Sequence, residues 1–179
     1  WLPSQSFHRD GVRCLTMELR DKVVVVTGGA SGIGTGLCRR FRERGVRGLV
    51  IADHNGDVAA DLAAEVGGKS YALDVRDEAA LAAMVAETEA EFGQIDLFCS
   101  NAGILNLDDG NFWATSSPNE IWQRNWEVHV MAHIYAARAC LPDMIRRGEG
   151  YFLHTVSAAG LLTQPYTAAY ATTKHAAIG

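Results

Sequence analysis

From Lys22 onward, short runs rich in β-branched residues alternate with longer stretches whose apolar residues recur every three or four positions. Either feature alone is ambiguous, but their regular alternation is how a chain lays strands in parallel and returns over the sheet through helices. The expected strands cover residues 22–27, 48–53, 69–74, 95–100 and 150–156, and the expected helices 36–44, 56–66, 77–92 and 119–147. Within 77–92, Leu81, Met84, Val85 and Thr88 fall on one helical face. Ser117-Pro118-Asn119-Glu120 reads as a helix start, and Arg146-Arg147-Gly148 as its end. The expected fold class is therefore α/β, a doubly wound parallel sheet.

Composition narrows the function classes. With 16 basic against 21 acidic residues the formal charge is −5, so neither nucleic acid nor an anionic membrane is an expected partner. No apolar run approaches the roughly 20 residues of a bilayer-spanning helix. Residues 1–16 lack the apolar centre of a secretory signal, and a cytoplasmic location is expected. Cys14, Cys38, Cys99 and Cys140 are widely spaced, with no zinc-like pairing, and read as reduced thiols. Met17 precedes the first strand, so residues 1–16 read as a disordered extension or one foreign to the fold. Residues 168–179 resemble a helix stopped in mid-run, so 17–179 is expected to be one domain incomplete at its C-terminus.

Thr27-Gly28-Gly29-Ala30-Ser31-Gly32-Ile33-Gly34 stands between a strand and a helix, where a dinucleotide pyrophosphate can reach free backbone N–H groups. Gly28, Gly32 and Gly34 provide a tight turn, close approach to phosphate, and close packing of helix on strand. Asp53 closes the second strand 19 positions after Gly34, where its carboxylate suits the adenosine ribose hydroxyls and would repel a 2′-phosphate. No Arg or Lys stands at Ser31 or directly after Asp53, so the pattern points to NAD rather than NADP. A strand-end turn or helix-capping role for Asp53 is the competing reading.

Tyr170 and Lys174 are four apart and share a helical face. A phenol of ordinary pKa near 10 is a poor base at neutral pH, and a cation ~4 Å away contributes ~4 kcal/mol at an effective dielectric of ~20. The alternative is a solvated helix face. Ser157, 13 residues before Tyr170 at the end of the last strand, adds a hydroxyl able to bind a substrate oxygen.

Taken together, these motifs resemble the short-chain dehydrogenase/reductase family, in the branch with a Gly-x-x-x-Gly-x-Gly turn and a Tyr-x-x-x-Lys pair. Asp74-Val75 matches the pair that contacts adenine, Asn101-Ala102-Gly103 the family's Asn-Ala-Gly, and residues 155–160 its serine segment. The resemblance implies a Rossmann fold with strand order 3-2-1-4-5, lacking the usual last strands. It implies cofactor contacts from Gly28, Ser31, Gly32, Ile33, Gly34, Asp53, Asp74, Val75, Asn101, Ala102, Gly103, Tyr170 and Lys174. The extended branch of epimerases and dehydratases has a different glycine spacing.

The implied reaction moves a hydride between a secondary alcohol or its ketone and the nicotinamide. Tyr170 would be general acid/base, Lys174 would assist it and hold the nicotinamide ribose, and Ser157 would orient the substrate oxygen. The family usually has Asn at the position of His129, so His129 is expected to serve a modified proton relay. His129 and His133 are spaced i, i+4, but Val130 and the lack of a third ligand argue against a metal. Trp122 and Trp126, spaced i, i+4 on the same helix, mark core or a subunit interface, and the resemblance implies that such helices pair between subunits, so a homo-oligomer is expected of a full-length protein. The apolar residues of 161–166 suit a hydrophobic substrate such as a lipid-like or aromatic alcohol, or packing of Leu161 and Leu162 against the part expected beyond residue 179. From a different class, the alternative is a truncated dinucleotide-binding or subunit-interaction module without catalysis.

Overall fold

The structure, a computed structural model, describes residues 17–108 and 113–179. The extension 1–16 and Cys14 lie outside the described residues. Five strands, β1 (Val23–Thr27), β2 (Gly48–Asp53), β3 (Lys69–Ala72), β4 (Leu97–Ser100) and β5 (Tyr151–His154), form one sheet in the order β3-β2-β1-β4-β5. Every pairing is parallel. Helices α1 (Gly32–Glu43), α2 (Gly56–Val66), α3 (Glu78–Phe92), α4 (Asn119–Trp126), α5 (Ala132–Arg147) and α6 (Ala168–Ala176) provide the crossovers and cover.

Side-chain alternation along β1 explains the double winding. Val23 and Val25 pack with Leu81, Met84, Val85, Ala136 and Met144 of α3 and α5. Val24 and Val26 pack with Cys38, Phe41, Leu62 and Val66 of α1 and α2 on the other face. All four valines are 0% exposed, which is why the strand reads as a continuous apolar run. The sheet thus has its topological switch between β1 and β4, where successive connections leave in opposite directions and open a crevice at the strand ends.

Several expected boundaries move. Helix α1 begins at Gly32, four residues before the expected 36, because the glycine turn leads straight into it with Ser31 as N-cap. The third and fifth strands are shorter than expected, and Asp74, Val75, Thr155, Val156 and Ser157 lie beyond them. The expected helix 119–147 is interrupted by a π-turn at Glu127–Met131, and the last helix stops at Ala176. A π-turn inserts one residue into the helical ladder and leaves no signature in apolar periodicity.

Cys38, Cys99 and Cys140 are free thiols, and burial pushes each up to about 12. Among the described residues no helix is long and apolar enough to cross a membrane.

Candidate active site

A cleft of about 430 Å³ opens at the switch point. Gly28, Ser31, Gly32, Ile33, Asp53, Asp74, Val75, Asn101, Ala102, Gly103, Tyr170 and Lys174, all expected from sequence, line it together. Gly34, Ser157 and His129 are not among the lining residues: Gly34 packs on the Gly28 carbonyl, His129 lies behind Gly103, and Ser157 directly follows Val156, which does line the cleft.

The turn after β1 is built for close approach. Gly28 has φ +63, and a Cβ there would come within 2.6 Å of the Ala102 Cα. A Cβ on Gly34 would fall inside the van der Waals shell of the Gly28 carbonyl oxygen, which is why the helix can start directly beneath the turn. Gly32 borders the cleft, with φ +50 and open space where a Cβ would stand. Asn101 joins the two halves of the crevice by donating to the Gly28 carbonyl at 3.0 Å and accepting the Thr155 hydroxyl at 2.9 Å.

Asp53 is 6% exposed. Its carboxylate accepts Ala30 N–H and Asn55 N–H, each at 3.0 Å, and has His54 Nδ1 at 3.0 Å. The turn-shaping role and the ribose-binding role are therefore compatible, since a carboxylate has about four acceptor sites. Asp74 is gripped by the Arg76 fork, with contacts of 2.6 and 3.0 Å, and that guanidinium holds its carboxyl below the usual range.

The other end of the cleft is carried by α6. Lys174 is 4% exposed, and its Nζ donates to the Thr155 carbonyl at 3.1 Å and stands 5.8 Å from the Tyr170 ring centroid. Burial pushes this ammonium below its ordinary pKa. Ser157 Oγ accepts Ala159 N–H at 3.2 Å, opening a short 3-10 turn at Ala158–Gly160.

His129, in the π-turn, is fully buried. Its Nε2 lies 3.1 Å from Ile104 N–H, its Nδ1 lies 2.9 Å from Thr173 Oγ1, and its ring meets Tyr170 edge-on with centroids 5.4 Å apart. Burial and the nearby Lys174 push it down to about 4. His133 faces elsewhere, stacked on His154 with centroids 4.4 Å apart. No cluster of three metal-ligating side chains exists among the described residues.

Thr155, Thr173, Ile104, Arg76 and Asp108 also hold the site together but carry no functional signal of their own in the sequence. Thr155 lies within the serine segment and Arg76 follows the Asp74-Val75 pair, so both were adjacent to a signal. The roles of Thr173, Ile104 and Asp108 depend on contacts across the fold.

A family model described as short chain dehydrogenase matches residues 22–179. The chain is 34% identical to the 1-deoxy-11-beta-hydroxypentalenate dehydrogenase of Streptomyces exfoliatus over 166 residues, 89% of this chain and 59% of that protein. With the 3beta-hydroxysteroid dehydrogenase 2 of Eggerthella lenta, identity is 33% over 169 residues, 90% of this chain and 63% of that protein. The crystal structure of a short chain dehydrogenase/reductase from Burkholderia phymatum in complex with NAD superposes with a TM-score of 0.84 at 28% identity, covering 91% of this chain and 58% of that one. The chain thus spans 58 to 63% of the length of these three relatives. With the family model matched over nearly all of the described fold, and with the glycine turn and the Tyr170–Lys174 pair on one cleft, the chain belongs to the short-chain dehydrogenase family.

Proposed function

We propose that this chain carries the cofactor-binding and catalytic part of an NAD-dependent oxidoreductase acting on a secondary alcohol or its ketone. The observation that carries the reading is a single cleft bordered at one end by Gly28, Ser31, Gly32 and Asp53 and at the other by Tyr170 and Lys174. The relatives' dehydrogenase names and the neighbour's bound NAD support it.

The residues present fit a dinucleotide. Open space beside Gly32 and the N-terminus of α1 suit a pyrophosphate, to which Ser31, Ile33 and Gly34 supply turn backbone. Asp53 would take the adenosine ribose, Asp74 and Val75 would border adenine, and Asn101, Ala102 and Gly103 would wall the nicotinamide end. Once bound, the nicotinamide supplies the acceptor or donor of the hydride.

In oxidation Tyr170 takes the proton of the substrate hydroxyl, and in reduction it returns one. Lys174 stabilises negative charge developing on the phenol oxygen, and its own proton is held by Thr155. Ser157 orients the substrate oxygen. His129 belongs to this unit as a brace, with Nε2 on the loop after β4, Nδ1 on Thr173 and its ring edge-on to Tyr170, and with both nitrogens so engaged it supports the site rather than relaying the proton. Ile134, Leu141 and Ile145, exposed on α5, suit contact with a second copy of the chain.

The test is NADH formation from NAD with a panel of secondary alcohols, cyclohexanol among them. Turnover of secondary alcohols supports the reading. NAD binding with no turnover of any alcohol, and no NADH oxidation with the matching ketones, would overturn it.

A further inference from the structure

Helix α6 is nine residues long, carries both Tyr170 and Lys174, and has no cap of its own. Thr167, at the N-cap position, makes no capping bond, and its buried Oγ1 has no partner. A helix start leaves its first N–H groups unsatisfied, and short helices fray unless acceptors are supplied. Here the acceptor comes from 60 residues away in sequence: the Asp108 carboxylate oxygens stand 3.1 and 3.2 Å from Ala168 N–H.

Among the described residues Asp108 makes two further ties. Its carboxylate accepts the Ser117 hydroxyl at 3.0 Å, and its own N–H donates to the Tyr166 carbonyl at 2.8 Å. Tyr166 has φ +66, a left-handed conformation unfavourable for a bulky L residue, and the bond from Asp108 N–H to its carbonyl helps to hold it there. Asp108 is 5% exposed, shielded from water that could compete for these bonds. The loop after β4 that carries Asp108 also carries Gly103, Ile104 and Leu105, which form part of the cleft wall.

From these contacts we infer that Asp108 is a positioning residue for the proton-transfer site: it caps the Tyr170 helix in trans and locks that helix to the cleft wall. The inference rests on the function proposed above. A negative group at the N-terminus of α6 also complements the helix dipole. Tyr170 is the third residue of α6, so movement of the first turn displaces the phenol directly. Among the described residues the hydrogen bonds of Asp108 go to Ser117, Tyr166 and Ala168 and none to the glycine turn or Asp53, whose geometry is expected to persist when Asp108 is replaced.

The experiment compares Asp108→Ala, Asp108→Asn and Asp108→Glu in the 179-residue chain by amide hydrogen exchange and by cyclohexanol oxidation with NAD. In D108A the amides of 168–171 are expected to exchange about ten-fold faster, with α1 amides unchanged. The kcat is expected to fall about ten-fold or more, with KM for NAD within about two-fold. D108N keeps an oxygen that can accept Ala168 N–H and is expected to recover exchange protection and kcat to within about three-fold. D108E keeps the charge but shifts it by a methylene, and an intermediate kcat assigns the effect to position; it also supplies the test if D108A does not fold. Unchanged exchange at 168–171, or faster exchange with unchanged kcat, would overturn the inference. A wild-type chain with no alcohol turnover counts against the proposed function alone, and the exchange comparison then decides for Asp108.

Discussion

The Nε2 atom of His129 accepts the Ile104 backbone N–H at 3.1 Å, and that contact fixes where the histidine's proton sits. A backbone N–H can only donate, so the ring proton is on Nδ1, which donates to Thr173 Oγ1 at 2.9 Å. The Thr173 hydroxyl then donates to the carbonyl of Ala169 or Tyr170, at 2.9 and 3.0 Å. Loop, π-turn and helix α6 are thereby joined by one neutral imidazole. His129→Phe, which keeps the bulk but orphans both partners, is expected to lower stability by about 2–4 kcal/mol in urea unfolding.

Acidification should weaken the fold through the same residue. His129 and His133 are both pushed down to about 4 from the ordinary 6.5, so between these values the unfolded chain binds more protons than the folded one. The stabilisation is full above pH 6.5 and is lost as pH falls to about 4, on the order of 2–3 kcal/mol for the fully buried His129. Urea midpoints measured across that window should decline with pH, and His129→Phe should flatten the decline.

Gly34→Ala tests the turn. Its Cβ would meet backbone rather than a movable side chain, so α1 must shift away from Gly28. The expected result is a loss of about 2 kcal/mol or more and a weakening of NADH binding beyond ten-fold, read by calorimetry and nucleotide fluorescence.

Asp53→Ala is expected to weaken NAD about ten-fold and NADP much less, so that the ratio of the two affinities shifts toward NADP. Titrations with both nucleotides measure it. An unchanged ratio would assign Asp53 to shaping the turn through Ala30 and Asn55 alone.

The sheet was legible in the sequence because valine runs such as Val23–Val26 are buried on both faces, and the strand order followed from the family resemblance. The glycine turn and the Tyr170–Lys174 pair were legible because their chemistry depends on local spacing. The π-turn around His129 was not, because a single inserted residue leaves the apolar pattern of 119–147 intact. Asp108 was not, because its partners Ala168 and Ser117 are brought to it by tertiary packing. The His129–His133 spacing pointed to one helical face, yet the fold gives the two rings separate partners.

If Tyr170 exchanges the substrate proton, Tyr170→Phe removes the one hydroxyl that does so and leaves the ring contact with His129 in place. NADH formation from a secondary alcohol is expected to fall by at least about a hundred-fold while NADH affinity stays within about two-fold. Equal turnover in Tyr170→Phe and the unaltered chain would contradict the mechanism.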